Sequence, residues 1–126
     1  MLSQQPSNPL RVVLVVEDEP LIRMMAAGII EDAGFAALEA TNASEALVLL
    51  KARNDISLIF ADIDLGAGMD GLHLAFLIRN RWPLVELIVT SGRSSRDEIK
   101  LPERGLFLSK PYCYDDLAGM VESLLT

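Results

Sequence analysis

Continuous β-branched runs that alternate with helically spaced apolar residues limit this chain to very few folds. The first run, residues 12–16, is Val-Val-Leu-Val-Val, five apolar residues with no polar alternation. Such a run suits a strand covered on both faces, which is the situation of a strand inside a parallel sheet. Leu21, Met24, Met25, Gly28 and Ile29 then follow at helical spacing, with Pro20 at a tolerated first-turn position and Gly34 as a stop. Residues 35–40 form a weaker strand candidate. Ala43, Ala46, Leu47 and Leu50 form a second helical stripe behind Thr41 and Asn42, with Glu45 placed to close a capping box with Asn42.

The pattern repeats. Residues 56–61 form a third strand, and Asp70-Gly71 opens a helix carrying Leu74, Leu77 and Ile78 that closes near Trp82-Pro83. Residues 85–90 and 106–109 form the fourth and fifth strands. A last helix carries Leu117, Met120, Val121 and Leu124, with Asp115 and Asp116 at its positive end. Between the last two strands, one brief helical stretch near residues 97–100 is broken by Pro102, so the helix expected there is short or absent. Strand–helix alternation of this kind predicts an α/β domain, a doubly wound five-stranded parallel sheet with helices on both faces. Residues 1–10, polar and with two prolines, are predicted to be a disordered leader, and residues 11–126 the folded domain.

Composition narrows the function. Eleven Lys and Arg stand against 18 Asp and Glu, a net charge of −7, which disfavours a phosphate backbone as partner. No stretch approaches the ~20 apolar residues that a membrane span needs, and the first residues lack a secretory signal. The one cysteine, Cys113, has no partner for an internal disulfide. A cytoplasmic protein that binds neither nucleic acid nor membrane is the expectation.

In open parallel sheets the chemistry collects beyond the carboxyl ends of the strands. Here those ends carry Glu17-Asp18-Glu19, Asp62-Ile63-Asp64, Thr90-Ser91 and Lys110-Pro111. If the first and third strands are neighbours at a switch point, Asp18 and Asp62 meet. Two carboxylates ~5 Å apart repel by roughly 3 kcal/mol at an effective dielectric of 20. Such a cluster calls for a cation, and Mg²⁺ (or Mn²⁺) with oxygen ligands is the natural one. With an ammonium from Lys110 and a hydroxyl from Thr90, the set suits a phosphoryl group transferred to a carboxylate.

These residues resemble the receiver domain of bacterial two-component response regulators. The likeness covers about residues 12–125 and rests on four ordered segments: Val15 to Pro20 with its acidic pair, Phe60 to Leu65 followed by Met69-Asp70-Gly71, Val89-Thr90-Ser91, and Phe107 to Pro111. The resemblance implies the flavodoxin-like strand order 2-1-3-4-5. It implies Asp62 as phosphoacceptor, served by a histidine kinase or histidine phosphotransfer protein. Asp18, Asp62 and the backbone carbonyl of Asp64 would hold Mg²⁺, with Glu17 acting through water. Lys110 would pair with phosphoryl oxygens beside a cis bond to Pro111, while Thr90 and Phe107 would act as the switch. It further implies a single-domain regulator, serving as a relay intermediate or a phosphate sink. Such a protein is a switch rather than an enzyme, though it assists its own phosphorylation and dephosphorylation. Three departures stand out: Glu17 replaces the commoner aspartate, Gly66-Ala67-Gly68 replaces a proline-containing turn, and the shortened fourth-helix region lacks part of the face through which many receivers signal.

Other readings attach to the same residues. Asp62-x-Asp64 also resembles the nucleophile motif of haloacid dehalogenase-type phosphatases, and with Glu17 it resembles a Toprim-like Mg²⁺-dependent nucleic-acid module. A degenerate receiver used only for protein binding is a third. The side chain of Asp64 is expected to be exposed, and Phe107 also suits plain core packing. His73 is expected on an exposed helix face, Cys113 as a small packing residue, Trp82 as a helix-end anchor and Met24-Met25 in the core.

Overall fold

All five side chains of β1 (Val12–Val16) are buried, because this strand lies at the centre of a sheet covered on both sides. The computed structural model describes residues 10–66 and 68–126, so the predicted leader, apart from residue 10, lies outside the described residues. These form β1, α1 (Pro20–Asp32), β2 (Ala36–Ala40), α2 (Ala43–Ala52), β3 (Ile56–Asp62), α3 (Gly71–Arg81), β4 (Glu86–Ser91), β5 (Gly105–Ser109) and α4 (Tyr114–Leu125). The sheet runs β2-β1-β3-β4-β5, every pair parallel, with β2 and β5 as its two edges. This is the flavodoxin-like doubly wound order.

Alternation along the strands divides the core in two. Val12, Leu14 and Val16 face a cluster that includes Ala46 and Leu50 of α2 and Leu74 and Ile78 of α3. Val13 and Val15 face the opposite cluster, with Ala26 and Ile30 of α1 and Leu117 and Val121 of α4. Each fully buried Leu or Ile contributes about 1.5–3 kcal/mol of transfer free energy. The expected gap appears between β4 and β5, where a three-residue 3-10 turn, Arg96–Glu98, stands in place of a helix. Lys110-Pro111 is cis.

Three local expectations are corrected. The inward face of α1 is Ala26, Ala27 and Ile30, while Leu21, Met24 and Met25 are exposed at 69%, 61% and 67%. The true stripe is 23-26-27-30. Alanines let the helix approach the sheet closely, and Arg23 at the top of the stripe is held by polar contacts, donating to the Glu17 carbonyl and to Glu39 at 3.0 Å each. At α2, Asn42 accepts from the Glu45 amide, but the Glu45 carboxylate returns to the amide and hydroxyl of Thr41 rather than to Asn42. Cys113 is exposed at the N-terminus of α4 and is no packing residue. His73 is exposed, and Trp82 packs against the core at the end of α3.

Candidate functional site

Parallel register brings the strand ends level. Asp62 is paired with Thr90 across β3 and β4, Val16 with Ala61 across β1 and β3, and Ser91 with Ser109 across β4 and β5. Glu17, Asp18, Asp62, Thr90 and Lys110, up to 93 positions apart in sequence, therefore converge on one edge.

At its centre, Lys110 Nζ lies 2.9 Å from Glu17 Oε1 and 2.9 Å from Asp62 Oδ2. Both carboxylates are buried, at 4% and 3% exposure. Each gives its second oxygen to a backbone amide two residues onward: Asp62 Oδ1 accepts from Asp64 N at 2.8 Å, and Glu17 Oε2 from Glu19 N at 3.1 Å. Burial pushes the Glu17 carboxyl above its ordinary range, and the charge of Asp62 adds to this against the opposing pull of Lys110 and the Glu19 amide. Burial alone would lower the Lys110 ammonium, but its bonds to Asp62 and Glu17 outweigh that and hold it above its usual value.

Asp18 is exposed and completes a group in which one oxygen each from Glu17, Asp18 and Asp62 lies within 4.8 Å of the others. Three carboxylates and one ammonium leave two negative charges uncompensated. A hard divalent cation matches both that charge and the all-oxygen donor set. The chain after β3 passes close by, since a Cβ at Gly66 would stand 3.2 Å from Asp18 Oδ2.

Thr90 is buried, and its hydroxyl donates to the Leu108 carbonyl of β5 at 2.5 Å. Phe107 is half-buried against the α2–α3 side of the core. Asp64 departs from expectation. Its half-buried side chain accepts from Ser91 Oγ at 2.7 Å and Gly92 N at 3.2 Å, while Ser91 Oγ accepts from the amides of Arg93 and Ser94. This clasp joins the segment after β3 to the segment after β4. A second acid two residues after Asp62, opposite a serine at the next strand end, was the signal for it. The contact of Arg23 with the Glu17 carbonyl had no comparable signal.

A doubly wound parallel sheet with a lysine-bound buried aspartate and an acidic, cation-ready cluster at its switch point places its polar residues where open α/β domains bind ligands. The chain belongs to the response regulator receiver domain family, whose description matches residues 13–122. It is 38% identical over 117 residues to the nitrogen assimilation regulatory protein NtrX of Azorhizobium caulinodans, covering 90% of this chain and 26% of that protein. It is 29% identical over 118 residues to the DNA-binding transcriptional regulator NtrC of Salmonella typhimurium, covering 91% and 25%. The chain thus spans about a quarter of the length of these curated relatives. Among solved structures, NtrX from Brucella abortus superposes with a TM-score of 0.81 at 33% identity, covering 90% of this chain and 26% of that one. The receiver domain of the hybrid histidine kinase CckA gives 0.77 at 28%, covering 91% and 99%.

Family membership replaces the phosphatase and Toprim readings. Receiver domains are regulatory switches of two-component systems, and they generally hold Mg²⁺ at an acidic pocket. No helix among the described residues is long and apolar enough to cross a membrane.

Proposed function

We propose that Asp62 accepts a phosphoryl group from a histidine kinase or a histidine phosphotransfer protein. The observation that carries this reading is the ammonium of Lys110, 2.9 Å from both Asp62 and Glu17, beside the exposed carboxylate of Asp18. The Asp62 carboxylate attacks phosphorus, an O–P bond forms, and the N–P bond of the donor phosphohistidine breaks. The departing imidazole takes up a proton. Asp18, Asp62 and the Asp64 carbonyl, with Glu17 acting through water, would hold Mg²⁺ or Mn²⁺, which when bound supplies positive charge for phosphoryl oxygens. Lys110 is already in place as a second positive group, and low solvent exposure strengthens its effect. Thr90 and Phe107 are proposed as the switch: the Thr90 hydroxyl leaves the Leu108 carbonyl for the new phosphoryl oxygens, and Phe107 moves inward.

The exposed Leu21, Met24 and Met25 lie on the helix that starts just after Glu17-Asp18-Glu19, which supports docking of a protein donor on that side. Acetyl phosphate with Mg²⁺ should label the protein, and Asp62→Asn should not be labelled. Label retained in that variant, or labelling unaffected by EDTA, overturns the proposal.

The finer reading is a single-domain regulator acting as a relay intermediate or phosphate sink. The short 3-10 turn between β4 and β5 supports it, since it offers little helical surface for an attached domain. The mass of the native polypeptide in its source cell checks this, and a product several-fold larger overturns it.

A further inference from the structure

The amino ends of the strands, opposite the acidic pocket, carry a groove of about 1000 Å³. Buried Leu50, Ile56, Val85 and Leu125 close its base, and the apolar surface it presents comes from Trp82, Pro83, Leu84 and Leu124. Trp82 is half-buried beside it, and Leu84 stands in the turn after α3 with 90% of its surface exposed. Leu84 is continuous with Trp82, Pro83 and Leu124 in one apolar strip of the lining.

Charge makes the groove unlike the rest of the molecule. Arg11, Lys51, Arg53 and Arg81 line it, against one carboxylate, Glu86. The remaining seven cations of the chain face seventeen carboxylates. Glu86 is already engaged by Arg104 at 3.8 Å, and Arg53 by Asp55 at 2.7 Å. Arg11, Lys51 and Arg81 form no ion pair among the described residues. The reason such cations persist here is local. The helices α2, α3 and α4 end at this face, and their carbonyl ends favour positive charge, with Lys51 and Arg81 in the last turns of α2 and α3. The helix ends therefore hold cations beside an apolar trough without requiring paired acids.

We infer that this groove binds an extended acidic peptide segment of a partner protein, which places apolar side chains over Leu84 and Trp82 and carboxylates on Arg11, Lys51 and Arg81. Charge complementarity selects the occupant, and the strip of Leu84 and Trp82 supplies an apolar contact that a bare phosphate compound cannot use. Because the groove and the Asp62 pocket lie at opposite ends of the strands, such a partner can remain bound while phosphoryl transfer proceeds.

Trp82 is the only tryptophan, so its fluorescence reports on the groove directly. The probe is the peptide acetyl-Asp-Glu-Leu-Asp-Glu-Leu-amide, titrated into the full chain. Emission should change saturably. Binding should weaken by about tenfold in Arg11→Glu and Arg81→Glu, in Leu84→Ser, and when the leucines of the peptide become serine. It should also weaken with added salt. These positions are exposed, and unchanged acetyl phosphate labelling verifies that the variants fold. No saturable change overturns the inference. So does equal binding of the Asn-Gln-Leu analogue, or of inorganic triphosphate, which would make the groove a phosphate site.

Discussion

Gly71, the first residue of α3, offers the sharpest test of how this fold positions its acceptor. A Cβ built there would lie 2.1 Å from the Asp62 carbonyl oxygen and 2.7 Å from both Asp62 C and Ile63 Cα. Every obstructing atom is backbone, so no rotamer change relieves the overlap, and α3 must retreat from β3 by about 1 Å to reach ordinary contact. Helix propensity alone predicts that Gly71→Ala gains up to about 1 kcal/mol. Steric overpacking predicts a loss of about 2–3 kcal/mol, because moving α3 loosens Leu74, Ala75 and Ile78 in the core. The steric term wins, for a net loss of about 2 kcal/mol, or roughly 1 M in urea midpoint at an m-value of about 2 kcal/mol/M. Gly28 and Gly119 are the controls, since a Cβ at either meets nothing within 4 Å. Gly28→Ala and Gly119→Ala should each raise the midpoint by about 0.3–0.5 M. Labelling by acetyl phosphate should slow by about tenfold or more in Gly71→Ala alone, because its clash is with the acceptor's own peptide unit. An unchanged or raised urea midpoint for Gly71→Ala would refute the reasoning.

Three further outcomes are expected. Asp18→Asn should be more stable than wild type in EDTA by about 1 kcal/mol, having lost a repulsive charge. Mg²⁺ at ten times its Kd should add about 1.4 kcal/mol to wild type and little to this variant, and equal shifts in both would refute the ion site. Glu17 binds a proton more tightly in the native state than at its ordinary value of 4.5, so wild-type stability should fall as pH rises from there through the raised native value. Glu17→Gln should lack that slope in urea midpoints measured against pH, and parallel profiles would count against the raised carboxyl. Thr90→Val should lose about 1–2 kcal/mol, because the Leu108 carbonyl loses a buried donor. An unchanged midpoint there would mean the bond contributes little.

The strands and the site were legible because both follow from local rules. Apolar β-branched runs mark buried parallel strands, and strand-end polar residues mark the sheet edge where ligands collect. Asp62, Lys110 and Glu17 accordingly lie together as their positions at the strand ends suggested. What failed were choices between two helical faces. In α1 the set Leu21, Met24, Met25 is more hydrophobic than Arg23, Ala26, Ala27, Ile30, yet the second faces the sheet, because close helix–sheet approach rewards small side chains. Sequence periodicity ranks hydrophobicity, whereas packing ranks volume. For the Asp64–Ser91 clasp the residues mark only the two strand ends, because it joins residues 27 positions apart and its geometry depends on how two loops leave neighbouring strands.

The open edges of the sheet bear on the colloidal behaviour of the protein. An unpaired strand can template another chain, and native proteins discourage this with brevity, charge and proline. β2 and β5 are five residues each. Glu39, bound to Arg23, sits within β2, while Pro102 precedes β5 and Lys110-Pro111 ends it. With Leu106 partly exposed on β5, these guards are what stand between concentrated stocks and runaway sheet growth. Replacing Glu39 with valine would therefore put solubility at risk.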